Sequence, residues 1–183
     1  DPGALRGLKV VDVYKGSNAD LDQLRALPEL PETADELKRI AQYLRAPEDK
    51  IYLRERATET ALKSMDLASS RVVAFATHGL VGGEISGLAE PALVMTPPDE
   101  ATDEDDGLLK ASEVAQLKMN ADIILLSACN TASGDKLGAE GLSGLSRAFI
   151  YAGARSLLVS HWSVESTSAA ELTTGMFDAI SSD

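Results

Sequence analysis

The sequence predicts an α/β fold, a three-layer α/β/α sandwich with a mostly parallel central sheet, built as one domain over residues 1–183. Two observations carry this. Short apolar runs rich in β-branched residues recur along the chain, and segments with apolar residues at helical spacing separate them. The runs "VVAFA", "IILL" and "LLV" are apolar throughout, the pattern of parallel strands covered on both faces. A chain of 183 residues is long enough to bury a substantial core.

In chain order, "GLKVVDVY" (7–14) reads as a first strand. "LPELPETADELKRIAQYL" follows as a helix carrying Ala34, Leu37, Ile40, Ala41 and Leu44 on one stripe, with Thr33 and Glu36 spaced as a capping box. "KIYLRERA" is expected to be a second strand, and "TETALKSMDLA" a short helix with Thr58 as N-cap. "RVVAFATHG" is a third strand, followed by a Gly-rich loop and "PALVMTPP", an extended piece or hairpin arm. "DEATDEDDG" is expected to be a solvated acidic loop, and "ASEVAQLKM" a helix. "DIILLSACN" is a fourth strand. "GLSGLSRAFIYAGA" is a helix with Leu142, Leu145, Phe149 and Ala152 on one face and Gly153 placed as a left-handed C-cap. "RSLLVSHWS" is a fifth strand, and "STSAAELTTGMFDAI" a last helix bearing Leu172, Met176 and Ile180.

Charge and composition narrow the function. The formal net charge of −12 repels a phosphate backbone, which argues against nucleic acid and favours neutral or cationic ligands. Apolar runs of only a few residues leave no membrane span. A lone cysteine, Cys129, excludes an internal disulfide framework and fits a reducing, cytoplasmic setting. The chain opens on "DPGALRG" without a methionine, so it is expected to be cut from something longer.

Three strands end alike: an apolar run, then His78, Cys129, or His161 with Ser163. In open α/β sheets the ligand crevice lies beyond the carboxyl ends of the strands. If the third and fourth strands are neighbours, His78 and Cys129 face one another there, and an imidazole can take the proton of a thiol to make it a nucleophile. Two readings of Cys129 stand at this point, a catalytic thiol and a small buried hydrophobe. His161 is an alternative base to His78, or a group packed beside Trp162.

Other motifs fail on spacing. "LGAEGLSGLS" has glycines at a helix start but lacks the Lys-Ser/Thr of a P-loop, and Asp135 and Glu140 bring the wrong charge for phosphate. Around Ser143 the second glycine comes one residue early for a nucleophile elbow. Starting from Asp103, an EF-hand would need glycine at the sixth position and glutamate at the twelfth, where the chain has Leu108 and Val114. One Cys and two His are thin material for zinc, so no metal site is expected.

The strings "FATHG", "LLSACNTASG" and "GAEGLSGLSRAFIYAGARSLLVSHW" closely resemble the CHAT domain, a relative of caspases and separase. The resemblance runs from about Glu32 to Ile180 and is strongest from Asp122 to Val164. It implies a caspase-like fold and a clan CD thiol protease, with His78 as general base and acid, Cys129 as nucleophile, and the backbone N–H groups of Gly79 and Cys129 as oxyanion hole. His78 precedes Cys129 by about 50 residues, a caspase-like interval. It further implies a protein or peptide substrate, no cofactor, and TPR-type repeats in the same or a partner chain. In "SHWSVESTS", Trp162 matches the family, His161 replaces a Leu, and Ser166 replaces a frequent second acid. Trp162, Ser163 and Glu165 are the implied substrate-binding residues, and Glu165 would read a basic side chain before the cut. Relatives continue into a further helix and edge strand, so either a trimmed C-terminus or a domain that ends early is expected here. The alternative is a non-catalytic interaction or signalling module on the same fold.

Overall fold

The computed structural model describes residues 14–15, 18–81, 88–127, 138–159 and 175 of the chain. The elements in order are β1 (Tyr14–Lys15), β2 (Asn18–Ala19), α1 (Leu21–Arg25), α2 (Pro31–Tyr43), α3 (Glu59–Lys63), β3 (Val72–Ala76), β4 (Gly79–Leu80), β5 (Ala92–Val94), β6 (Leu108–Lys110), α4 (Ala111–Val114), β7 (Ile123–Ser127), α5 (Gly138–Tyr151) and β8 (Leu157–Val159). The predicted strand over 7–14 contributes only Tyr14 to these residues, and the last helix only Gly175.

The protein is mixed α/β. The apolar runs predicted as third, fourth and fifth strands form one parallel sheet in the order β3-β7-β8. Val73 lies opposite Ile124 and Phe75 opposite Leu126, so these side chains share a face. They pack with Leu62 of α3 and with Leu145 and Phe149 of α5 in the largest core cluster. The Phe75 and Phe149 ring centroids are 5.4 Å apart. Burying each such Phe or Leu contributes roughly 1.5–3 kcal/mol. The alternate residues Val72, Ala74 and Leu125 pack against Ile40 of α2. A second, antiparallel sheet has the order β4-β5-β6, and within it "PALVM" supplies the expected hairpin arm.

Two helix ends form as read. Thr58 Oγ1 accepts the Ala61 N–H at 3.1 Å to cap α3. Gly153 has φ 111°, and a Cβ there would lie 2.1 Å from the Met119 carbonyl oxygen, so only glycine fits after α5.

Three local expectations are corrected. Helix α2 starts at Pro31, whose fixed φ suits a first helical position, and Thr33 Oγ1 donates to the Leu30 carbonyl at 2.6 Å instead of closing a capping box. Glu36 is therefore turned inward, at 3% exposure. "KIYLRERA" is not a strand: a 3-10 turn, Glu48–Lys50, ends on its first residue, and a second, Arg54–Arg56, falls within it where Arg54 adopts φ 50° and breaks the extended run. Its carbonyl accepts the Thr96 hydroxyl at 2.6 Å.

The acidic loop is only partly solvated, since Asp105 and Asp106 are buried. Asp105 accepts the N–H and hydroxyl of Thr60, at 3.1 and 2.6 Å, at the start of α3. Asp106 pairs with Lys110 at 2.7 Å. Beside them Lys63 bridges Glu59 at 2.8 Å and Glu113 at 2.7 Å. Buried carboxylates persist where donors meet them, and here α3 and β6 supply Thr60, Lys63 and Lys110.

Candidate active site

The parallel pairing of β3 and β7 sets the geometry of the site. Register is constant along the ladder, from Val72 opposite Ile123 to Ala76 opposite Ser127. One residue further, the Thr77 N–H donates to the Ser127 carbonyl at 3.3 Å. The two strands therefore finish side by side, and His78 follows directly on the tip of β3.

His78 is half-buried, and its ring is fixed by the backbone of the α1–α2 connection. Nε2 lies 2.8 Å from the Pro28 carbonyl oxygen. A carbonyl only accepts, so this contact assigns the proton to Nε2 and leaves the Nδ1 lone pair as the basic site. The residues around the ring enclose a cleft of about 410 Å³. Its walls include Leu24, Leu27, Pro28, Tyr52, Thr96 and Pro97, with Glu29 and Arg54 bringing charge.

The backbone entering Gly79 is held by the second sheet. The His78 carbonyl accepts the Val94 N–H at 2.9 Å, which ties this peptide to β5. The His78–Gly79 peptide is trans, so its N–H points opposite to that carbonyl, away from β5. Thr77 Oγ1 donates to the Val94 carbonyl at 2.6 Å and holds the same turn.

The remaining predicted site residues lie outside the described residues. These are Cys129, at the end of the β7 segment, and Trp162, Ser163 and Glu165, with His161, beyond β8. Among the described residues no group of three or more His, Cys, Asp or Glu is arranged to hold a metal ion. No helix among them is long and apolar enough to cross a membrane.

Two contributors escaped the sequence reading. Pro28 acts through its carbonyl, which has no sequence signature, and its proximity to His78 is tertiary. Glu36 reaches the tip of β7, where the Ser127 hydroxyl donates to its Oε2 at 3.0 Å. Its signal was a glutamate within the apolar stripe of α2, which the capping-box reading absorbed.

The sequence profile of the CHAT domain matches residues 7–182, nearly the whole chain. The protein belongs to the CHAT domain family, as the resemblance implied. Comparison with curated proteins and with solved structures finds no match.

Proposed function

We propose that the protein is a cysteine endopeptidase, with Cys129 as nucleophile and His78 as proton shuttle, on a caspase-like, three-layer sandwich completed by the rest of the chain. The observation that supports it best is that β3 and β7 are parallel neighbours in register as far as Ala76 opposite Ser127, with His78 and Cys129 each two residues further along the chain. Adjacent strands lie about 4.8 Å apart, within reach of a thiol–imidazole contact.

The chemistry follows from the ring's orientation. With Nε2–H held by Pro28, Nδ1 of His78 accepts the thiol proton, and the Cys129 thiolate attacks the scissile carbonyl carbon. The N–H groups of Gly79 and Cys129 receive the oxyanion of the tetrahedral intermediate. The C–N bond breaks as the imidazolium returns its proton to the leaving amine, and a thioester remains on Cys129. Water, deprotonated by His78, hydrolyses that thioester and frees the thiol, so no cofactor enters.

The substrate is a protein or peptide, with Trp162, Ser163 and Glu165 lining the subsites and Glu165 favouring Arg or Lys before the cut. The protein acts in the cytoplasm, alongside TPR-type repeats in the same or a partner chain. The test is a library of fluorogenic peptides varied at the residue before the cut. Cleavage that vanishes in both Cys129→Ala and His78→Ala supports the reading. Cleavage unchanged in Cys129→Ala would overturn it, and no cleavage of any peptide would favour the interaction module.

A further inference from the structure

The cleft beside His78 is lined by large apolar side chains that the core does not use. Leu30, Leu37 and Leu53 line it half-buried, and among the described residues they join none of the three core clusters. Its volume of about 410 Å³ lies within the range of ligand clefts, about 300–1,000 Å³. The hydroxyls of the lining threonines are already committed to wall carbonyls. Thr33 donates to Leu30, Thr77 to Val94 and Thr96 to Arg54, each at 2.6 Å. The charged lining residues are one acid, Glu29, and one base, Arg54, so they cancel within a chain of net charge −12. A charged or strongly polar side chain entering this cleft would give up water without gaining partners to match, whereas an apolar one would cover the exposed leucines.

We infer that this cleft seats a bulky apolar side chain, of the leucine or phenylalanine class, from a residue flanking the bond that His78 serves. As a substrate subsite it rests on the peptidase reading above, and it adds an apolar requirement near the cut to the basic residue before it. His78 is part of the cleft wall, so a side chain held there belongs to a residue close to the reacting bond. The wall that carries Leu53 is fixed by an unusual piece of backbone. Arg54 adopts φ 50°, and the Thr96 hydroxyl on its carbonyl ties that conformation down. Left-handed backbone at a non-glycine residue persists only where its surroundings hold it, and such strain gathers at ligand sites.

The test reads binding at the cleft without needing cleavage. The Hε1 resonance of the His78 ring, assigned by its loss in His78→Gln, is followed by NMR as capped peptides Ac-Gly-X-Gly-amide are added, with X as Leu, Phe, Ala or Glu. Leu and Phe should shift it saturably and bind at least about 10-fold tighter than Ala, with Glu no better than Ala. Ala34→Phe fills the cleft from α2, and Leu53→Ser makes one wall polar. Each should weaken the Leu and Phe peptides by about 10-fold, and whichever melts like the wild type carries this arm if the other does not fold. Equal binding of all four peptides, no saturable shift with any, or binding unmoved in a folded wall variant would overturn the inference. Cleavage lost in Cys129→Ala would still support the dyad in that event. Leu and Phe binding as expected, with no cleavage of library peptides that contain them, would keep the cleft and count against the peptidase reading alone.

Discussion

Replacing Lys63 with Met should be among the most damaging single changes in the molecule, by about 3 kcal/mol at neutral pH. The Lys63 ammonium lies 2.8 Å from Glu59 and 2.7 Å from Glu113, and Glu59 is fully buried. Removing one partner of a buried pair costs about 3–5 kcal/mol. The lower end applies because both acids keep other donors: the Asp106 N–H to Glu59 at 3.0 Å, and the Lys110 N–H to Glu113 at 2.9 Å. For a domain of this size the melting temperature should fall by roughly 10 °C.

The pH dependence gives this prediction its sign. Burial pushes the Glu59 carboxyl above its ordinary value; the hydrogen bond from Lys63 opposes this, while Glu113 and Asp106 add to it. A carboxyl with a raised folded pKa binds its proton more tightly folded than unfolded, so stability falls as pH rises from the unfolded value to the folded one. Without Lys63 the Glu59 value climbs further and that window widens. The variant's deficit should therefore be small near pH 4, where Glu59 is protonated in both states, and grow toward pH 8. Burial draws the Lys63 ammonium downward, but its hydrogen bonds to Glu113 and Glu59 outweigh this and hold it above the ordinary lysine value of 10.5. Its contribution is therefore complete below that value and lost as pH rises through the folded one. Urea unfolding of both proteins from pH 4 to 8 measures the difference. A deficit under about 1 kcal/mol at pH 7, or one independent of pH, would refute the reasoning.

Two further outcomes follow from the same structure. Gly153→Ala forces a Cβ against the Met119 carbonyl at φ 111°, and should cost roughly 3 kcal/mol in denaturant unfolding, far more than an ordinary surface substitution. The hydrogen bond and charge of Arg71, reinforced by Arg155, hold the half-buried Asp122 carboxyl below its ordinary value, so its contribution is present above 3.8 and is lost as pH falls through the folded value. NMR titration should find the Asp122 midpoint below 3.8 in wild type and closer to it in Arg71→Ala.

The parts of the fold that the sequence made legible are those where one physical signal dominates. Strands β3, β7 and β8 have no polar residue in their apolar runs before Ser127, and they pair as one parallel sheet with β7, the most buried, at its centre. Gly153 was legible because a left-handed helix end admits little else. The errors came where local pattern and tertiary context disagree. Thr33 and Glu36 have the spacing of a capping box, but Pro31 had already started the helix and turned Glu36 to the core. Asp105 and Asp106 look like solvent-facing acids until the Thr60 hydroxyl and Lys110 arrive from elements distant or adjacent in the chain. His78 was legible as a strand-end histidine, whereas the Pro28 carbonyl that sets its tautomer was not.

The claim on which the account turns is that β3 and β7 deliver positions 78 and 129 to one cleft. A direct measurement is bridging by a short bis-alkylating thiol reagent in a His78→Cys variant, whose only other thiol is Cys129. The account predicts a monomer carrying a single reagent that joins the two peptides in a digest. Two separate mono-adducts, with no bridged peptide, would contradict it.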